Sequence, residues 1–312
     1  MRASAVATLA VAALLFATDA AAQRGGGRLG PGARDQPEPP PVELPAGADP
    51  AIAAALPGFR PTGTNAEAMR ARGLLPTGLE AVYPADADCP AMNSPFATTR
   101  RGDGSQRSPR FYRGRHSGMD IPVPEGTSIL AVADGTVVAL SEGESIGGLE
   151  LILMHAPEDT GLGVWTWTVY KHLRELPPLR VGQRVRMGEH LAHAGVTGTT
   201  GGHYDEAGHS HLHLGAYWSP RPDYYAGRAF VPGGEGHWAD ALALYAGAGT
   251  LASADLAALP AADKRVAIPY RTTDGRLVPG DTRLVWPFAC AVRQNHAVFD
   301  GGDDRVASAA VP

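Results

Sequence analysis

The clearest alternation of apolar and polar residues runs through residues 164–170, Val-Trp-Thr-Trp-Thr-Val-Tyr. Trp165, Trp167 and Val169 share one side of this segment and Tyr170 lies on the other, which is the two-residue period of a β-strand. Short β-prone segments punctuated by glycine surround it, at residues 119–122, 128–132, 136–140, 149–155, 190–194 and 211–218. We therefore predict an all-β fold, a compact antiparallel β-sandwich or open barrel with a functional groove across its sheet.

Turn and helix signals complete this picture. Asp134-Gly135 separates the segments 128–132 and 136–140, which predicts that these two strands form a hairpin. Helical patterns are short and lie outside the β region, at residues 65–72 and at residues 253–259, where Ser253 is the predicted N-cap. The β core is thus expected to carry loop-rich and partly helical extensions.

Histidines at alternate positions mark the segment 211–218. On a strand, His211 and His213 point to the same face while Leu212 and Leu214 face the core. His116 and Asp120 lie on either side of a glycine, where a loop is expected to enter the strand that begins at Met119.

These side chains suggest a zinc site. Two imidazoles and one carboxylate make a three-ligand set, and a catalytic zinc keeps its fourth position for water. With His172 the segments offer five candidate groups, so two remain for acid–base chemistry once three bind the metal. The residue types alone do not say which three bind the metal.

Three motifs in order carry a resemblance to a known family. They are H-x-x-x-D at His116 to Asp120, Y-x-H-L at Tyr170 to Leu173, and H-x-H at His211 to His213, with matching connecting segments at residues 124–137, 181–188 and 194–198. The chain resembles peptidase family M23, the lysostaphin and LytM type of zinc endopeptidase, over about residues 110–220.

The resemblance implies a role for each residue. His116, Asp120 and His213 would bind one Zn²⁺ ion, and His172 and His211 would be the catalytic pair. The implied reaction is zinc-assisted hydrolysis of peptide bonds in peptidoglycan, in a cross-bridge or a stem peptide. The sequence does not decide which histidine is the base and which stabilises the oxyanion. Tyr170 shares the strand parity of His172, and we expect it to donate a hydrogen bond into the site.

Two alternatives to this enzyme stay open. One is a catalytically inactive LytM-like module that regulates or binds cell-wall hydrolases, and the other is a peptidase acting on proteins outside the cell wall. The presence of all five motif positions favours the active enzyme. An insertion rich in polar residues precedes the H-x-H motif, and its His203, Asp205 and His209 suggest either a second metal site, a substrate contact or a polar loop, of which we favour the loop.

The chain divides into four expected segments. Residues 1–22 have the charged start, short apolar core and small-residue end of a signal peptide, so we expect a periplasmic or secreted protein with no transmembrane segment after cleavage. Residues 23–84 read as a Pro/Gly-rich disordered arm or linker. Residues 85–220 would be the catalytic domain, and residues 221–312 an extension packed on it.

Cys89 and Cys290 are the only two cysteines. In an exported protein an even number favours a disulfide, which here would close a loop of about 200 residues and stabilise the fold by roughly 2–4 kcal/mol. Two free buried thiols are the alternative.

Charge and composition exclude one class of partner. The formal net charge of −5 and the sequence pI of about 6.1 provide no basic face for nucleic acid. We expect a monomer. We also hypothesise that the enzyme is latent before processing. The N-terminal arm would cover the zinc, through Asn93 or its neighbours, until it is processed.

Overall fold

The computed structural model describes residues 43–142, 147–199 and 209–293. The predicted signal peptide at 1–22, the first part of the predicted arm, and His203 and Asp205 of the insertion lie outside these ranges. Within them, no helix has both the length and the apolar composition needed to cross a membrane.

Strands dominate the described residues and the helices are short. The first nine strands are β1 (Glu80–Val82), β2 (Ala87–Asp88), β3 (Met119–Pro122), β4 (Ser128–Leu130), β5 (Gly135–Ser141), β6 (Glu150–His155), β7 (Trp165–Lys171), β8 (Arg184–Val185) and β9 (His190–His193). The others are β10 (His211–Ser219), β11 (Tyr225–Ala226), β12 (Phe230–Val231), β13 (His237–Ala239), β14 (Arg265–Ala267), β15 (Tyr270–Thr272), β16 (Leu277–Val278) and β17 (Ala289–Val292). The α-helices are α1 (Pro50–Ala55), α2 (Ala66–Ala71), α3 (Pro157–Thr160) and α4 (Ser253–Ala258), with single 3₁₀ turns at Leu56–Gly58, Tyr112–Gly114, Ala241–Tyr245 and Ala261–Lys264.

One antiparallel sheet of seven strands organises the molecule. Its order is β13-β10-β7-β6-β5-β8, and β3 pairs with the first part of β10. The smaller sheets are antiparallel too, except for the parallel pairs β1–β14 and β15–β17. Among the strands of the described ranges, no sheet closes on itself. The predicted all-β class with an open antiparallel core is confirmed.

The sheet is buried on both faces, which is why its central strands are apolar on both sides. One face packs Leu151, Leu153, Leu212 and Leu214 against the C-terminal extension. The other face packs a second cluster, which includes Trp167, against the N-terminal segment and Trp238.

The predicted hairpin at Asp134-Gly135 is wrong. β4 pairs with β9, whereas β5 pairs with β6 and β8. The two segments that flank Asp134-Gly135 belong to different sheets. Turn residues alone therefore do not predict which strands pair with each other.

Part of the predicted disordered arm is ordered. Residues 43–84 contain α1, α2 and β1, and Asn65 caps α2 by accepting hydrogen bonds from the amides of Glu67 and Ala68. Phe59, Met69 and Leu74 each have only 1% of their surface exposed. These few large apolar residues anchor a segment whose average composition is that of a linker.

The described part of the C-terminal segment packs in the same hydrophobic cluster as the central sheet. Trp286, Phe288 and Tyr270 belong to the same hydrophobic cluster as the central sheet. Cys89 and Cys290 form a disulfide that joins the segment after β2 to β17, so the predicted bridge is confirmed. α4 begins at Ser253, and its N-cap is therefore Ala252 instead of Ser253.

Candidate metal centre

The H-x-H segment lies on β10, at the centre of the sheet. The side chains of Leu212 and Leu214 are fully buried in the core, so His211 and His213 point to the opposite face, as their alternation predicts. In the antiparallel register His213 lies opposite Asp120 of β3. Two segments almost a hundred residues apart therefore bring a carboxylate beside an imidazole.

A glycine permits this close pairing. A Cβ atom at Gly118 would lie 2.5 Å from the carbonyl oxygen of Leu214 and 2.7 Å from Nε2 of His213. Any larger residue would push His116 and β3 away from β10.

His116, Asp120 and His213 place three ligand atoms in a near-equilateral triangle. Nε2 of His116 lies 2.9 Å from Oδ1 of Asp120 and 3.0 Å from Nδ1 of His213, and the last two atoms are 3.0 Å apart. Atoms spaced in this way can all lie about 2 Å from one point, the usual zinc–nitrogen and zinc–oxygen distance. Elsewhere in the described ranges no other group of three or more such side chains could hold a metal ion.

Hydrogen bonds fix the protonation of the two histidine nitrogens in the triangle. Nδ1 of His116 donates to the carbonyl oxygen of Pro95 at 3.0 Å, so in the neutral ring Nε2 carries the lone pair. Nε2 of His213 lies 3.3 Å from the hydroxyl of Ser117, which leaves its Nδ1 for the centre. Burial lowers the pKa of both rings and keeps them neutral. Three acceptor atoms so close together repel one another unless a cation lies among them, so the donor set fits a metal ion.

Asp120 supplies the negative charge of the centre. Burial alone would raise its pKa, but the adjacent His116 and His213 outweigh that effect and hold the pKa well below the usual value. Its second oxygen, Oδ2, accepts a hydrogen bond from Arg107 at 2.9 Å, and Arg107 also donates to Ser94. Arg107 thus leaves Oδ1 to face the two histidines.

His172 reaches the same face by a break in the strand. β7 ends at Lys171, and His172 has a φ of +62°, a left-handed conformation that is uncommon outside glycine. Its amide donates to the carbonyl of Gly147, and its Nδ1 donates to the carbonyl of Thr197 at 2.8 Å. These contacts from two loops hold His172 in the conformation that aims it into the groove.

The role expected for Tyr170 is wrong for this reason. Its side chain is buried on the opposite face of the sheet, where its hydroxyl accepts from the amide of Val132 and lies near Thr168. The alternation that placed Tyr170 with His172 ends one residue before His172.

His211 and His172 lie side by side next to the triangle. Their ring centroids are 4.6 Å apart, and Nε2 of His211 is 3.6 Å from Oδ1 of Asp120. Nδ1 of His211 donates to the carbonyl of His209, so Nε2 is the acceptor in the neutral ring. Burial, and secondarily His211, lower the pKa of His172 to about 3.

Several residues in or next to the groove were not predicted from the sequence. Lys171 lies opposite His213 in the register and forms a mostly buried ion pair with Glu150 at 3.0 Å. A lysine within an apolar strand was the available signal for it. Ser117, Ser94 and Arg107 gave no signal, because their contacts with the centre depend on a loop that passes over the sheet. The groove around the centre is lined by Arg101, Arg107, Ser108, Phe111, Tyr112, Arg115, His116, Ser117, Asp120, Gly147, Lys171, His172, Gly198, Thr199, His211 and His213.

Three further histidines of the described ranges, His155, His190 and His193, lie away from this centre. His155 is fully buried between the carbonyl of Asp134 and the hydroxyl of Thr168. The rings of His190 and His193 are 4.7 Å apart at the surface, closer than alternation allows, since β4 and β9 pair irregularly here. Asn93 does not line the groove, and its side chain lies beside Gly102.

The fold and the site thus define a class: a β-sheet protein with a His-Asp-His group able to hold one metal ion, flanked by two further histidines. Residues 114–222 match the model of Peptidase family M23. The matched residues make up about a third of the chain, and the proteins of this family are zinc metallopeptidases.

Individual proteins are similar over part of the chain. An uncharacterized metalloprotease of Haemophilus influenzae is 33% identical over 117 residues, which cover 36% of this chain and 22% of that protein. The chain thus spans about a fifth of that relative. The catalytic domain of the antimicrobial peptidase lysostaphin from Staphylococcus simulans is 24% identical, with a TM-score of 0.28, covering 41% of this chain and 77% of that one. A zinc-containing peptidase from Vibrio cholerae is 23% identical, with a TM-score of 0.31, covering 47% and 38%.

Proposed function

We propose that this protein is an exported zinc metalloendopeptidase that hydrolyses peptide bonds of peptidoglycan, in a cross-bridge or a stem peptide. The triangle formed by His116, Asp120 and His213 carries the proposal, because its three acceptor atoms lie within 3.0 Å of one another and two further histidines stand beside it. The match to Peptidase family M23 supports the same reaction.

In this proposal His116, Asp120 and His213 hold the ion. A zinc ion bound there would supply a Lewis acid that polarises the scissile carbonyl and lowers the pKa of water. The chain's own contribution is to keep all three ligand atoms unprotonated and fixed. Pro95, Ser117 and Arg107 do so from behind, since each binds the atom of a ligand that faces away from the centre.

His211 and His172 transfer the protons. We assign the role of general base to His211. Its acceptor atom Nε2 lies 3.6 Å from Oδ1 of Asp120, and therefore next to the proposed metal position. It takes the proton of the attacking water, and that proton is passed to the leaving amine as the C–N bond breaks. Water and peptide thereby give a carboxylic acid and an amine, which at neutral pH ionise to a carboxylate and an ammonium group. Nδ1 of His172 donates to the carbonyl of Thr197, so its Nε2 is a second acceptor beside His211 and would relay the proton of the attacking water towards the leaving amine.

The location and substrate belong to this proposal as well. Residues 1–22 have the pattern of a signal peptide, and a disulfide between Cys89 and Cys290 suits the oxidising space outside the cytoplasm. We place the protein in the periplasm or outside the cell, where peptidoglycan is the abundant peptide polymer. Residues 85–220 would be the catalytic domain.

The test is digestion of purified peptidoglycan by the mature protein, with the released fragments identified by mass spectrometry. We expect cross-linked fragments to be converted to monomers, with one zinc ion bound per chain and complete loss of cleavage on chelation. His211→Ala should abolish cleavage while retaining zinc. His190→Ala is the matched control, because it removes a histidine at the exposed surface.

Two results would refute the proposal in different ways. One equivalent of zinc without cleavage of any peptidoglycan would favour a regulatory module or a peptidase of other proteins. Unchanged cleavage by His211→Ala would remove the catalytic assignment while leaving the reaction in place.

A further inference from the structure

The groove has two chemically different sides. One side is formed by the loop between β2 and β3 and presents three arginines, Arg101, Arg107 and Arg115, which we call the arginine wall. The other side is formed by Gly147, Gly198 and Thr199 and offers mainly backbone. A peptide lying over the metal centre would contact both sides.

The described lining of the groove carries more positive than negative charge. Its cationic residues are Arg101, Arg107, Arg115 and Lys171, and its one carboxylate is Asp120. Arg107 pairs with Asp120, and Lys171 pairs with Glu150 behind the lining. The ion proposed for the centre would add two further positive charges. This excess stands out in a chain with a net charge of −5, so it is local to the groove.

Arg115 is the member of the wall best placed to meet a ligand. It directly precedes His116 in the chain, and its side chain donates to the carbonyl of Ala97 at 3.2 Å. The amide of Ala97 in turn donates to the carbonyl of His116. Arg115 is therefore fixed relative to the metal centre. No carboxylate in the described ranges forms an ion pair with it.

A guanidinium so placed matches one type of ligand. Arginine has five N–H donors in a planar fork, and one bond to Ala97 leaves donors for a two-pronged contact with a carboxylate. Partial burial reduces competition from water, so such a contact is stronger here than at an open surface.

We propose that the arginine wall, through Arg115 in particular, binds a free carboxylate of the substrate peptide beside the scissile bond. The groove would then select acidic peptides, such as stem peptides with free carboxylates, over neutral bridges of glycine. The claim that the protein cleaves acidic peptides in preference to neutral ones rests on the proposed function. The claim that Arg115 binds a carboxylate does not.

The probes are two cross-linked stem-peptide dimers that differ only in their carboxyl groups, free in one and converted to carboxamides in the other. Their dissociation constants are measured by calorimetry on the zinc-loaded His211→Ala protein, which binds without cleaving. We expect the acidic dimer to bind about tenfold more tightly, a ratio equivalent to about 1.4 kcal/mol. This preference should shrink as salt is raised.

Arg115→Gln in the same background should abolish the preference, and Arg115→Lys should restore part of it. Arg180→Gln is the matched control, because Arg180 is exposed, lies outside the groove and has the same charge. With His211 intact, the ratio of kcat/KM for the two dimers should follow the same order.

Each outcome separates this inference from the proposed function. Equal binding of both dimers, or failure to bind the acidic one, overturns the carboxylate site. Equal binding together with cleavage leaves the peptidase standing without this selectivity. Preferential binding that depends on Arg115, without cleavage by the protein with His211 intact, supports the carboxylate site and counts against the peptidase.

Discussion

The buried His155 offers a sharp test of how the core responds to acid. Its side chain has no exposed surface. Nδ1 donates to the carbonyl of Asp134 at 2.7 Å, and Nε2 lies 2.8 Å from the hydroxyl of Thr168, so the neutral ring is fully satisfied. Burial lowers the pKa of His155 from 6.5 to about 4.

The sign of the effect follows from which state binds the proton. Between pH 6.5 and about 4 the unfolded chain protonates this histidine and the folded chain does not, so stability falls as the pH falls. At about 1.4 kcal/mol per pH unit the full loss is about 3 kcal/mol, of which about 2 kcal/mol appears between pH 7 and pH 5. Above pH 6.5 both states are neutral, and the contribution is constant.

The perturbation is His155→Gln, which removes the titrating group and retains a polar side chain. Urea unfolding is followed at pH 7 and pH 5 by the fluorescence of the buried Trp167, Trp238 and Trp286, with a chelator present so that metal release does not contribute. We expect the unaltered protein to lose about 2 kcal/mol more than the variant over this interval. The surface variant His193→Gln should behave like the unaltered protein.

One result would refute this reasoning. If His155→Gln loses as much stability between pH 7 and pH 5 as the unaltered protein, the folded state accepts the proton at His155 without cost. The acid sensitivity would then arise elsewhere.

Two further predictions concern the centre and the disulfide. Arg107→Gln should weaken zinc binding about tenfold or more, because Asp120 loses the hydrogen-bond partner of its Oδ2. The affinity is measured by competition with a chromophoric chelator, with Arg100→Gln as the control. Equal zinc affinities of the Arg107→Gln variant and the unaltered protein would contradict the role of Arg107. Replacing Cys89 and Cys290 together by serine should lower the free energy of unfolding by roughly 2–5 kcal/mol, since the bridge spans 201 residues. A reductant should destabilise the unaltered protein only, and an unchanged urea midpoint in the double variant would contradict this prediction.

The parts of the site that were predictable from sequence are those that depend on one continuous strand. The alternation of His211 and His213 with two leucines fixes which face each occupies, because successive side chains of a strand point to opposite sides. The same rule failed at His172, where the strand had ended. His172 itself has a left-handed backbone conformation, which turns its side chain into the groove, and its contacts with Gly147 and Thr197 hold that conformation.

Strand pairing shows the same division. β3, β6, β7 and β10 were all predictable from their apolar patterns, but the pairing of β4 with β9 was not. Residues 128–130 satisfy the same local pattern with either neighbour, and the packing of the whole sheet selects between them.

The sequence by itself determined the strand class, the faces of β10, the candidate ligands and the pairing of the only two cysteines. Tertiary structure alone decided that residues 43–84 pack on the sheet, that Arg107 holds Asp120 and that Arg115 stands beside the centre. The physical reason is the range of the interactions. Alternation and residue chemistry act between near neighbours, whereas these contacts join segments whose meeting depends on how the complete chain buries its apolar surface.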